Sequence, residues 1–248
     1  YTFSKDEQKI VLEVNREQIY RRSSKANFFV WDRTKEALTE VSKSGKQRYA
    51  TLNDQADKIA FVRKNNLFYR DLKSNKEIQI TKDGLNNSII NGATDWVYEE
   101  EFAMSRAFFW SPEGDKIAFL KFDETAVKEF TYTSYNKGLY PIYTTFKYPK
   151  AGETNATVSV HVYHLSSDKT VAVEVKGDED QYIPRIKWVN NDNLCVTQKN
   201  RHQNKLSLLN ANPVNGKTTL LLEEKNDYFI DIHDNLTFLD DASFIWTS

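Results

Sequence analysis

Along most of the chain, apolar and polar residues alternate in short bursts separated by polar turns. Apolar residues seldom recur at the three-and-four spacing of a helix face. The pattern predicts an all-β chain. One phrase recurs within it, a turn carrying Asp, Asn or Gly followed at once by a compact apolar strand. It reads Asp6-Glu7-Gln8-Lys9-Ile10-Val11-Leu12, then Gln55-Ala56-Asp57-Lys58-Ile59-Ala60-Phe61, then Pro112-Glu113-Gly114-Asp115-Lys116-Ile117-Ala118-Phe119. Weaker copies stand at Asn191-Asp192-Asn193-Leu194-Cys195-Val196 and Asp240-Asp241-Ala242-Ser243-Phe244-Ile245. The first apolar residues, Ile10, Ile59, Ile117, Leu194 and Phe244, fall 49, 58, 77 and 50 positions apart. Units of that size fit four-stranded blades, which cannot bury both faces alone and so stack radially with shared cores. A β-propeller follows. A solenoid of parallel β-coils would need shorter, stricter repeats, and a sandwich would need none.

The second repeat displays its strands most openly, at 49–52, 58–62, 66–72 and 77–81, with short polar connections. In the third, Trp110-Ser111-Pro112-Glu113-Gly114 ends a strand in a turn where Pro presets φ and Gly can take a positive φ. The long interval from Ile117 to Leu194 must hold an insertion. The stretch 132–149, opening at Tyr132, rich in Tyr and carrying Gly138, Pro141 and Pro149, reads as an extended arm leaving the blade. Its exposed aromatics mark either a contact surface or a loop folded back on its own blade. After Gly84 the chain leads into an acidic turn. There Thr94 or Asp95 is placed to cap a short helix over residues 98–105, inserted between blades where ligands are met.

Composition narrows the partners. With 248 residues, 40% hydrophobic and 13% aromatic, the chain can bury a substantial core, and its apolar runs are too short for a membrane span. Lys plus Arg number 34 against 35 Asp plus Glu, a net charge of -1, so nothing points to nucleic acid or an anionic membrane. The single cysteine, Cys195, lies in an apolar run and reads as a small buried residue; no intrachain disulfide is possible. His161 and His164 stand an odd number of positions apart on an alternating strand and so face opposite ways. His202 and His233 sit in separate polar loops, so neither a metal nor another cofactor is indicated. The opening at Tyr1 without a methionine and the apolar end at Phe244-Ile245-Trp246 read as the cut ends of a piece of a longer chain.

The most informative chemistry is Asp95-Trp96-Val97-Tyr98-Glu99-Glu100-Glu101, four carboxylates in one aromatic turn of sequence. On charge alone it reads as the solvated face of a short helix, or as a receptor for a cation such as a peptide's free amino terminus.

That run, together with Trp110-Ser111-Pro112-Glu113-Gly114, Phe122-Asp123-Glu124-Thr125-Ala126-Val127 and Tyr148-Pro149-Lys150-Ala151-Gly152-Glu153-Thr154-Asn155-Ala156-Thr157-Val158, resembles the N-terminal propeller domain of dipeptidyl peptidase IV. The similarity runs in order from about residue 20 to residue 162 and thins after that. The acidic motif with Tyr-Pro-Lys-Ala-Gly is highly specific to that family, whereas the Trp-Ser-Pro turn occurs in many propellers.

The resemblance implies a propeller of eight blades, of which this chain holds about four and a half. It implies that Glu100 and Glu101 bind the α-amino group of a peptide substrate, with Glu99 in support and Tyr98 and Asp95 holding the turn. It implies that Arg21 holds a substrate carbonyl, with Arg22 one register away. The activity it implies is that of a serine exopeptidase releasing N-terminal X-Pro or X-Ala dipeptides. A non-catalytic interaction propeller and the propeller of a prolyl tripeptidyl peptidase are the alternatives. No Gly-x-Ser-x-Gly elbow occurs in the chain. The resemblance puts the catalytic Ser, Asp and His in a C-terminal α/β-hydrolase domain, so the 248 residues alone are expected to be inactive. It also makes the 132–149 arm part of a homodimer contact. Asn86, Asn155 and Asn235 match glycosylation acceptors, and the Lys- and Asn-rich makeup leans towards a bacterial cell-envelope location.

Overall fold

The two-residue alternation of the sequence becomes the pleat of strands. In Ser24–Asp32, for example, Ala26, Phe28 and Val30 turn inward while their neighbours face outward. A computed structural model describes residues 1–135, 138–240 and 243–248. The first sheet is an antiparallel meander of β1 (Thr2–Phe3), β2 (Lys9–Gln18), β3 (Ser24–Asp32) and β4 (Ala37–Glu40). The second repeats it with β5 (Arg48–Leu52), β6 (Lys58–Arg63), β7 (Asn66–Asp71) and β8 (Glu77–Gln79), close to the strands the sequence predicts.

The third sheet is more elaborate. It contains β9 (Ile89–Asn91), then helix α1 (Trp96–Glu101), then β10 (Phe108–Trp110) and β11 (Lys116–Asp123). The hairpin β12 (Glu129–Ser134) and β13 (Ile142–Lys147) follows, and β14 (Thr157–His164) and β15 (Lys169–Ala172) complete the sheet. The fourth is β16 (Tyr182–Asn190), β17 (Asn193–Lys199), β18 (Lys205–Ala211) and β19 (Thr218–Lys225), after which β20 (Thr237–Phe238) and β21 (Phe244–Ile245) pair. Four blades and a further hairpin thus form a partial all-β propeller.

The recurring phrase has a physical basis in one turn. Ser4, Asn53 and Ser111 each open it, and the side-chain oxygen of each accepts the amide five residues on, Lys9, Lys58 or Lys116, at 2.9–3.1 Å. The fourth residue of each, Glu7, Ala56 or Gly114, takes a φ of 57°, 52° or 65°. A Cβ on Gly114 would press on the side chains of Asn53 and Gln55 in the neighbouring blade, so glycine serves packing here as well as φ. In the fourth blade the same turn has moved one hairpin on, where Asn200 accepts Lys205 N at 3.0 Å and Gln203 has φ 56°. The Asn191 copy is instead a tight β16–β17 connection. Asp241 and Ala242 of the fifth copy lie outside the described residues, as do Asn136 and Lys137 of the arm.

Blades are riveted by tryptophans. Trp110 Nε1 donates to Thr51 O at 3.0 Å and Trp188 Nε1 to Phe109 O at 3.1 Å, each reaching the preceding blade. One apolar cluster accordingly runs through blades two, three and four and takes in Val97, Tyr98 and Phe102 of the helix region.

Two details depart from the sequence reading. The helix spans Trp96–Glu101 and stops short of Ser105, because Phe102 is its C-cap and Ala103 then turns left-handed at φ 51°. It also lies within a blade, since β9 and β10 share one edge of β11, pairing with 121–123 and 117–119 respectively, and the helix rides on the excursion between them. The arm is a true hairpin, registered from Glu129↔Lys147 to Ser134↔Ile142.

Candidate functional site

Six residues are too few to hold a helix by themselves, so α1 depends on what surrounds it. Asp95 supplies the N-cap, its carboxylate accepting Tyr98 N at 2.9 Å. Thr94 Oγ1 donates to Met104 O at 2.7 Å and Thr94 N to Ser105 O at 3.2 Å, pinching the excursion shut at its base. Tyr98 is buried between Phe102, Phe122 and Tyr182, and its hydroxyl accepts Ile183 N from the fourth blade at 2.7 Å. Burial drives the Tyr98 phenol well above its ordinary pKa, so it serves as a neutral strut.

Helical spacing then divides the acidic run into separate roles. Asp95 and Glu99, four apart, share the inward face. Glu99 is fully buried, and its Oε1 accepts Arg22 N at 2.5 Å and Ser23 N at 2.9 Å from the β2–β3 loop of the first blade. Glu100 turns aside, with its side chain 18% exposed and Oε2 3.3 Å from Arg21 Nε. Glu101 faces solvent. Arg21 is itself 75% exposed, so this ion pair is open to exchange with a visiting charge. Arg22 meets the helix through its backbone N–H, which donates to Glu99.

Beneath the helix lies a group of buried acids. Burial pushes Asp95 up to about 6, the cap hydrogen bond opposing it. Burial, with the charge of Asp95, pushes Glu124 up to about 7. The Tyr20 phenol, next to Arg21, is pushed up to about 12 by burial and by the charge of Glu124. Two aromatic contacts bring the arm's root to both halves of the site: Tyr20 meets Phe146 at 5.6 Å and Trp96 meets Tyr148 at 4.3 Å between ring centroids.

The sequence reading missed Arg185. From β16 its Nη1 donates to Phe102 O at 2.9 Å, satisfying a carbonyl at the helix C-terminus where a cation is favoured, while Nε pairs with Asp234 at 2.6 Å. Nothing local in the sequence signals this contact across 83 residues. Arg185 and Asp234 also line a groove of about 1050 Å³ together with Ala103, Met104 and Arg106. The groove borders the turn after α1, and Glu100 and Glu101 are not among the residues that line it.

The histidines are engaged separately: His161 with Ser159 and the Phe119 ring, His164 with Pro213 O, His233 with Thr247 O. Among the described residues no three His, Cys, Asp or Glu are placed to hold a metal ion, and no helix is long and apolar enough to cross a membrane. Cys195 is buried, and that burial pushes its thiol up to about 12.

The sequence model of the family described as "Dipeptidyl peptidase IV (DPP IV) N-terminal region" matches residues 4–248. A protein of Podospora anserina named "Probable dipeptidyl-aminopeptidase B" is 36% identical over 216 residues, 80% of this chain and 23% of its own length. Dipeptidyl aminopeptidase B of Saccharomyces cerevisiae is 31% identical over 248 residues, 96% of this chain and 30% of its own. The crystal structure of Porphyromonas gingivalis dipeptidyl peptidase 4 superposes with a TM-score of 0.93 at 37% identity, covering 98% of this chain and 35% of that one. The chain thus spans about a quarter to a third of the proteins it resembles.

Proposed function

Because the chain belongs to the family of dipeptidyl peptidase IV N-terminal regions, we propose that it is the substrate-selecting propeller of a serine exopeptidase that releases N-terminal X-Pro or X-Ala dipeptides. The observation that carries this reading is the meeting of Arg21 and Glu100 at 3.3 Å from two different blades, with Glu101 exposed beside them. An α-ammonium about 4 Å from a carboxylate gains on the order of 4 kcal/mol at an effective dielectric near 20, before desolvation is charged against it. In this reading Glu100 and Glu101 share the ammonium. The exposed guanidinium of Arg21, released from Glu100, takes the carbonyl of the substrate's second residue from the cleaved bond as a fixed planar donor. A mid-chain peptide has no ammonium to displace Arg21 from Glu100 or to meet Glu101, so the site rejects it by omission. Fixing the amino terminus fixes which carbonyl reaches the nucleophile, and cleavage falls after the second residue.

The nucleophile, acid and base belong to a hydrolase portion of the parent protein outside these 248 residues, so the propeller alone selects and does not cut. The arm carries a homodimer contact in the same reading: Tyr135, Leu139, Tyr140 and Tyr143 are 68%, 97%, 85% and 68% exposed, an apolar display a monomer seldom leaves bare.

The test is Glu100→Ala and Glu101→Ala in the full-length protein, assayed on X-Pro peptides. Each is expected to lower kcat/KM for dipeptide release by at least about 100-fold, roughly 2.7 kcal/mol, with unchanged melting. Turnover near that of the parent in both variants would overturn the assignment.

A further inference from the structure

The β2–β3 loop that carries Arg21 is otherwise tied mainly to itself. Ile19 N donates to Ser23 O at 2.9 Å, Tyr20 N to Ser23 Oγ at 3.2 Å, and Gln18 Nε2 reaches Arg21 O at 3.0 Å. Among the described residues, the hydrogen bonds from residues 20–23 to α1 converge on one atom, Glu99 Oε1, which accepts both Arg22 N and Ser23 N. Glu99 and Ser23 are both 0% exposed, so the Ser23 bond is buried and the Arg22 bond partly so, whereas the neighbouring Arg21–Glu100 pair is open on the arginine side. The two contacts are adjacent rungs between the same two segments. Residues 99 and 100 on the helix meet residues 22 and 21 on the loop.

We infer that Glu99 is the positioning residue of the receptor: its buried carboxyl docks the first-blade loop on the third-blade helix and thereby sets where Arg21 stands relative to Glu100 and Glu101. The inference rests on the reading of those three residues as the substrate receptor and gives that receptor a mechanical frame. The exposed rung must open when a substrate ammonium takes Glu100. The inner rung stays closed, because opening it would leave the buried Ser23 amide without its acceptor. Arg21 is then free to turn towards a substrate carbonyl while its Cα stays in register. Glu99 touches neither the ammonium nor the carbonyl in this arrangement. Its second oxygen, Oε2, is buried with no hydrogen-bond partner among the described residues, so the two loop amides are held through Oε1.

The experiment compares Glu99→Ala with Glu99→Gln in the full-length protein, by amide hydrogen exchange over residues 20–23 and by steady-state kinetics on an X-Pro peptide. Glutamine keeps an acceptor oxygen for the two amides and alanine does not. The expected result is at least tenfold faster exchange of the Arg22 and Ser23 amides in the alanine variant, with KM raised about tenfold and kcat within about twofold. The glutamine variant should stay within about threefold of the parent in both measurements. Unchanged exchange in Glu99→Ala overturns the docking, and faster exchange with an unchanged KM overturns the positioning role. A glutamine variant as impaired as the alanine one overturns the hydrogen-bond basis. If the parent releases no dipeptides at all, the peptidase reading fails, and the exchange comparison still decides the docking.

Discussion

At the scale of single residues, the acidic run shows how position on a short helix gives chemically identical side chains different tasks. Asp95 caps, Glu99 docks a loop, Glu100 pairs with Arg21 and Glu101 meets water. The buried members have a pH signature. Asp95 and Glu124 both have folded-state pKa values above the ordinary carboxylate range, about 6 and about 7. The fold therefore favours their protonated forms. The stability they contribute is whole below about pH 4 and is lost as pH rises through 6 and 7. At about 1.4 kcal/mol per unit, the loss from either group amounts to up to about 3 kcal/mol, less where the two are coupled. Asp95→Asn keeps a capping oxygen while removing the buried charge. Urea unfolding of this variant followed between pH 4 and 8 should show a shallower decline than the parent and a gain of about 1–2 kcal/mol at pH 8. An identical pH slope in the two proteins would contradict the burial argument.

At the scale of elements, the helix is capped where local sequence says, opens two residues earlier than the 98 expected, and ends where distant residues say. Asp95 is legible as a cap because its side chain serves an amide three residues away. The stop is not legible: Ala103 carries no glycine signal for its φ of 51°, and the Phe102 carbonyl is satisfied by Arg185 from the fourth blade. A sequence-only reading therefore carries the helix on to Ser105. The strained alanine offers a test. Ala103 is exposed, and its left-handed conformation suits glycine better, so Ala103→Gly should stabilise the fold by about 0.5–1 kcal/mol in equilibrium unfolding. A destabilised variant would mean that Ala103 makes contacts that outweigh its backbone strain. Residues 21–23 teach the same lesson from the other side. They are polar residues between β2 and β3, and only the placement of Glu99, 76 residues from Ser23, ties that loop to α1.

At the scale of the whole molecule, blades are joined by a few repeated rivets, and the long departures from the repeat carry the candidate functions. The excursion within the third blade brings the acidic helix to the first blade's loop, and the hairpin between β11 and β14 projects the arm. The arm's root touches Trp96 and Tyr20, so the arm and the Arg21–Glu100 pair stand on one aromatic base. If the arm carries the proposed homodimer contact, replacing Leu139 and Tyr140 together by serine in the full-length protein should shift it from dimer to monomer in sedimentation, with the propeller's melting unchanged; a dimer of undiminished affinity would place the contact elsewhere. The blades and the carboxylates of the acidic run are legible in the sequence. Strand alternation and the five-residue capped turn are local, each satisfied within a hairpin, and the acidic motif is contiguous. Tertiary structure alone decided which carboxylate faces water, where the helix stops and how Arg21 reaches Glu100. Those outcomes depend on hydrogen bonds and burial between residues some 75 to 85 positions apart, brought together only when the blades stack.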